Sequence, residues 1–173
     1  MKLQDKAKYQ LTSKYFKDKQ MGLLSNILWA FQRKRYSSIE DFNKEITEYQ
    51  TLILKERASW EPDQVVINAP EIDVCYEAWI KGKEEIATNE TIIGDENEVF
   101  CEDNSDYGMF QVEFCAQLKA TNGTHFTALD LLYQLQNQVC NKDPGDHIFF
   151  EGLTPHNGEH NSERPLYYMN LGS

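Results

Sequence analysis

The chain has 173 residues and a mass of 20.2 kDa, enough for one domain with a real core and too short for most two-domain enzymes. Its 40% hydrophobic and 12% aromatic residues, with only 9 Gly and 5 Pro and a mean hydropathy of -0.62, exclude a disordered, collagen-like or membrane-spanning chain. The 17 Lys+Arg and 28 Asp+Glu leave a formal charge of -11, which argues against nucleic acid or an anionic membrane as partner and toward a basic protein.

That charge is unevenly distributed. Residues 1–60 carry 12 basic and 7 acidic side chains, a net +5, whereas residues 61–173 carry 5 basic and 21 acidic, a net -16. The break falls after Trp60, just before Pro62, and divides a basic N-terminal segment from an acidic domain. Attraction between the two parts is the simplest use of the positive segment, because its Lys residues are scattered and its acidic neighbour repels phosphates.

The first part reads as helical. Leu3, Ala7, Leu11 and Tyr15 repeat at four, Leu24, Ile27, Leu28 and Phe31 make a compact apolar set, and Ile39, Phe42, Ile46, Tyr49 and Ile53 step by three or four. Ser37 and Ser38, each with an acid three residues on (Glu40 and Asp41), supply a helix start. The second part reads mainly as antiparallel sheet. Within Glu71–Ile80, Ile72, Val74, Tyr76, Ala78 and Ile80 alternate with Glu71, Asp73, Cys75, Glu77 and Trp79, so that one set faces a core and the other makes an acidic, partly aromatic face. From Met109 to Leu118, Phe110, Val112, Phe114, Ala116 and Leu118 alternate with Gln111, Glu113, Cys115 and Gln117.

Thr127 opens a further helix with Asp130 at the capping-box position and an apolar stripe of Ala128, Leu131, Leu132, Leu135 and Val139. Asp143-Pro144-Gly145-Asp146 ends it, and strands over His147–Leu153 and Leu166–Leu171 finish the chain. Segregated helices and strands predict an α+β fold, an antiparallel sheet with one packed helix preceded by an N-terminal helical segment. No glycine-rich dinucleotide turn or Walker loop is present.

Chemistry-bearing residues are few. Cys75, Cys101, Cys115 and Cys140 form no zinc-like pair, and no cofactor is expected. The first residues lack the apolar run of a secretory leader, so the sequence predicts a cytoplasmic protein with reduced thiols and chance glycosylation sequons at Asn89 and Asn122. The acid-rich run Gly94–Asp106 fails the calcium-loop spacing, since Phe100 stands where a loop from Asp95 needs Gly and Phe114 where a loop from Asp103 needs Glu. It reads instead as a solvated connection or a protein-docking face flanked by Phe100 and Tyr107. His156 and His160 have i, i+4 spacing, but Asn157-Gly158 opposes the helix that a metal site would need.

The acidic α+β character, with the run Gly145-Asp-His-Ile-Phe-Phe-Glu-Gly-Leu153 after a helix, resembles bacterial toxin immunity proteins, and the likeness covers at most residues 61–173. It implies a non-catalytic inhibitor that fills the basic cleft of a nuclease-type toxin, and it carries no functional residues across. From charge and alternation alone, the docking residues expected are Asp95, Glu96, Glu98, Glu102, Asp103, Asp106 and Tyr107, with Glu77 and Trp79 as a second patch. A hydrolase or thiol enzyme built on Asp146, His147, Glu151 and one Cys is the enzymatic alternative, and a docking subunit of a larger assembly is the third.

Overall fold

The computed structural model describes residues 22–55, 58–156 and 164–173; the helix expected over 3–15, and His160, lie outside them. Helix α1 spans Ile39–Leu54, and its N-cap Ser38 accepts from the Asp41 amide at 3.2 Å, as the serine-acid spacing predicts. Strands β1 (Val65–Ile67) and β2 (Glu71–Ile80) follow, then β3 (Glu90–Ile92), the short helix α2 (Glu96–Val99) and β4 (Phe110–Lys119). Strand β5 (Phe126–Thr127) leads into helix α3 (Ala128–Val139), where the Thr127 hydroxyl caps the Asp130 amide at 3.2 Å, and β6 (Phe149–Pro155) and β7 (Leu166–Gly172) close the chain.

Five strands form one sheet in the order β3-β4-β2-β7-β6, while β1 and β5 pair separately. The fold is α+β as the sequence predicts, but the sheet is mixed, because β7 runs parallel to β2 while the other ladders are antiparallel. These pairings make β6 parallel to β4, and a connection between parallel strands must cross over the sheet. Helix α3 is that crossover. It lays Leu131, Leu132, Leu135 and Val139 into one cluster with Ile72, Val74, Tyr76, Ala78 and Ile80 of β2 and Val112, Phe114, Ala116 and Leu118 of β4.

The helix expected over Leu24–Phe31 does not form. Residues 23–31 lie along β6 as a strap that is interrupted by a turn at 24–26 and extended from Ile27 onward, with Leu23 and Leu153 exchanging backbone hydrogen bonds of 2.7 and 2.9 Å. Phe150 donates to Trp29 O and Phe31 to Ile148 O, both at 2.8 Å. The physical reason lies in a second period: Ile27, Trp29 and Phe31 also alternate at two, and all three are buried while Leu28 is exposed. A polar residue of α3 completes the attachment. Gln136, fully buried, accepts from Trp29 Nε1 at 3.0 Å and donates to Gln32 O at 2.7 Å and Lys34 O at 2.9 Å.

Charge contributes little to holding the two parts together. Among the ion pairs of the described residues, Arg33 to Asp143, 3.7 Å and solvent-exposed, joins the basic part to the acidic one. Trp29 instead meets Phe42 and Tyr49 of α1 edge-on at 5.2 and 5.5 Å, so one hydrophobic core runs across the compositional break at residue 60.

A buried ion pair fixes the other side of the sheet. Lys142 Nζ and Glu90 Oε1 lie 2.9 Å apart with neither side chain exposed. The Glu90 carboxylate also accepts from the Tyr76 hydroxyl, from Gln138 Nε2 at 2.6 Å and from the Ala87 amide at 2.6 Å. Burial and the Glu90 charge push the Tyr76 hydroxyl well above its ordinary pKa, so it stays a proton donor.

Two outcomes follow for stability. Lys142→Met leaves the Glu90 carboxylate buried without its cation and should cost about 3–5 kcal/mol in urea unfolding; a loss near zero would show the pair to be dispensable. Gly152 has φ +107, and a Cβ there would stand 2.8 Å from Leu23 O of the strap. Gly152→Ala should therefore cost about 2 kcal/mol or more, read by the same measurement.

Candidate functional site

The acid-rich run joins β3 to β4 and is built as two short turns. Asp95 caps α2, its Oδ1 accepting from the Asn97 amide at 2.8 Å, and a 3-10 turn over Glu102–Asn104 follows. Val99 and Phe100 point back to the core, Phe100 meeting Phe110 edge-on at 5.2 Å. Phe100 is thus an anchor for the loop rather than the exposed aromatic expected from sequence. Turning these apolar residues inward leaves the side chains before and after them outside.

Asp95, Glu96, Glu98, Glu102, Asp103, Asp106 and Tyr107 are all exposed. Tyr107 is 99% exposed at φ +49, at the tip of a turn in which Asp106 and Met109 exchange backbone hydrogen bonds of 2.8 and 2.9 Å. Of these six acids, Glu96 is the one in an ion pair among the described residues, with Lys83 at 2.6 Å. No three His, Cys, Asp or Glu side chains among the described residues gather closely enough to hold a metal ion. The carboxylates spread over a surface instead of converging on a point.

The second expected patch lies on the sheet face turned away from α3. The β2–β4 register puts Asp73 opposite Gln117, Cys75 opposite Cys115, Glu77 opposite Glu113, and Trp79 opposite Gln111. Two carboxylates thus stand directly across from each other, exposed, and like charges so placed destabilise a ladder. Gln111 Nε2 donates to Glu77 Oε1 at 2.5 Å, and among the described residues no cation pairs with either glutamate. Glu113 and Gln111 are contributors that the sequence places on the right face but leaves without partners, because the register between the two strands is not written in either.

A cleft of about 390 Å³ opens beside this row, lined by Glu77, Trp79, Gln111, Gly145, Asp146 and His147 among others. Its position follows from the backbone: Trp79 donates to Asp143 O at 2.6 Å and accepts from the Asp143 amide at 3.0 Å, so the turn after α3 is sewn to the end of β2. Asp146 Oδ1 and His147 Nδ1 lie 2.8 Å apart on the rim, both exposed. The pair named for an enzymatic alternative is therefore beside Glu77 and Trp79, but no cysteine is among the residues lining the cleft.

The two expected patches occupy one end of the sheet. The loop enters β4 at Phe110, whose register partner is Ile80, next to Trp79. Loop acids, Tyr107, Glu77, Glu113 and Trp79 together offer negative charge with aromatic side chains at its edge, the chemistry that receives Lys and Arg through charge-assisted hydrogen bonds and cation–π contact. No helix of the described residues is long and apolar enough to cross a membrane. No protein-family model matches the chain, and no curated protein or solved structure matches it significantly.

Proposed function

We propose that the chain is a binding protein that docks a basic protein partner on the acidic end of its sheet, most concretely an immunity protein that blocks a nuclease-type toxin in the cytoplasm. The observation that carries this reading is the Glu77–Glu113 pair, two exposed carboxylates directly opposed with no cation beside them among the described residues. Such a pair costs stability in the free protein and favours a complex that brings a cation to it. The exposed loop acids around Tyr107 extend the same field outward, where it steers encounter with a Lys- or Arg-rich surface. A nuclease toxin presents such a surface because it must hold phosphates.

The hydrolase alternative rests on the Asp146–His147 pair at the cleft rim. No serine, threonine or cysteine is among the residues lining the cleft, so covalent catalysis of the Ser–His or Cys–His kind finds no side-chain nucleophile there.

Capture from source-cell lysate with the native chain, followed by affinity measurement on the basic protein recovered, tests the reading. The triple change Glu102→Lys, Asp103→Lys, Asp106→Lys should weaken binding about 100-fold at low salt and flatten its salt dependence. Glu77→Gln with Glu113→Gln should weaken binding while stabilising the isolated chain by about 0.5 kcal/mol, because it relieves a like-charge contact. Unchanged affinity in both variants, or recovery of no basic protein, would overturn the placement.

A further inference from the structure

Cys75 and Cys115 oppose each other in the row next to Glu77 and Glu113. Their backbone setting follows from the hydrogen bonds on either side. Asp73 N–H goes to Pro165 O at 2.9 Å and Trp79 N–H to Asp143 O at 2.6 Å, both away from β4. On the other strand, Glu113 O accepts from Ile93 N–H and Gln117 N–H donates to Asn89 O, each at 2.9 Å and away from β2. Peptide directions alternate along a strand, so Cys75 and Cys115 form a non-hydrogen-bonded pair. In such a pair the Cα atoms sit about 4.5 Å apart with side chains close, within the roughly 4.4–6.8 Å that a disulfide spans.

The two thiols face each other across the ladder and influence each other's titration, and their surroundings are unequal. Cys115 is half-buried, while Cys75 is 2% exposed and has Tyr168 of β7 as its parallel-ladder partner. The neighbouring Cys75 thiol holds Cys115 below the ordinary thiol pKa, against the opposing effects of burial and of the Asp73 and Glu113 carboxylates and with a smaller contribution from the Arg164 cation. The Cys115 thiol, together with burial, pushes the Cys75 thiol up. Neither remaining cysteine is so placed: Cys101 lies exposed in the acidic loop, and Cys140 is buried with its thiol donating to Asn137 O at 3.1 Å.

We infer that Cys75 and Cys115 are a peroxide-reactive dithiol that closes into a cross-strand disulfide on the outer face of the sheet. Cys115 is the attacking thiolate and Cys75 the resolving thiol. The Cys115 sulfur attacks one peroxide oxygen, the O–O bond breaks, and the departing hydroxide takes up the proton that Cys115 had released, leaving a sulfenic acid and water. Cys75 then gives up its proton as its sulfur attacks that of Cys115; the S–S bond forms, the S–O bond breaks, and hydroxide leaves with the proton as a second water. Two thiols lose two electrons, and the peroxide gains them. A small peroxide fits this role better than a bulky disulfide, because Cys115 offers only part of its surface. The inference stands apart from partner docking.

Treatment of the full chain with hydrogen peroxide, then alkylation under denaturing conditions and peptide mapping by mass spectrometry, tests it. Two of the four thiols should disappear, the mass should fall by two hydrogens, and the linked peptides should contain Cys75 and Cys115. Cys115→Ser should slow thiol loss about tenfold or more, while Cys75→Ala, which also removes the donor beside Cys115, should slow the first attack but accumulate a sulfenic acid trapped by dimedone. The wild-type map decides the matter should a variant fail to fold. Survival of all four thiols, oxidation confined to Cys101, or a linkage between molecules would overturn the inference.

Discussion

A lysine and a glutamate removed from water hold the sheet in the form on which everything else depends. Glu90 belongs to the three-residue edge strand β3, too short to secure itself, and Lys142 follows the end of α3. Taking either charge out of water is costly, so the contact persists only because the carboxylate is saturated by Tyr76, Gln138 and the Ala87 amide as well. The result is a joint between β2, β3 and the end of the crossover helix. The acid-rich loop begins at the end of β3, so the joint also sets where that loop leaves the sheet.

The two faces of the sheet divide the labour. On the inner face, alternate residues of β2 and β4 meet α3 in a continuous apolar layer. On the outer face the same strands show carboxylates, amides, thiols, an ammonium and one indole, and the acids are ion-paired at the end away from the loop, Glu71 with Lys119 and Asp73 with Arg164, but not at Glu77 and Glu113 nearer to it. Arg164 lies over the opposite end of that face, its Nε 3.1 Å from buried Asp73, so positive charge is present where the acids of the loop are not. The outer face is graded along its strands.

Much of this was legible in the sequence wherever a period repeats. The alternation within residues 71–80 gives β2 its bounds and both of its faces, and serine or threonine followed by an acid three positions on marks the starts of α1 and α3. The strap was misread because Leu24, Ile27, Leu28 and Phe31 satisfy a helical spacing while Ile27, Trp29 and Phe31 satisfy an extended one; only the neighbouring edge of β6 decides between them. The parallel direction of β7 depends on a crossover, which no local pattern encodes. Glu90 and Lys142 were invisible because a charged residue is by default a surface residue, and nothing adjacent in sequence says otherwise. For the site, the acids and Tyr107 were readable as exposed from composition. The opposition of Glu77 to Glu113 and of Cys75 to Cys115 was not, because a long irregular connection between two strands leaves their register free.

The strap along β6 has a meaning for the molecule in a crowded solution. A sheet with two open edges can add strands from another copy of itself, and proteins suppress this by covering or shortening those edges. Here residues 23–31 occupy much of the hydrogen-bonding rim of β6, and the rim at the other side belongs to a strand only three residues long. An apolar segment from early in the chain therefore serves as a guard against edge-to-edge polymerisation, and the carboxylates of the loop beyond β3 repel a second copy approaching the remaining edge.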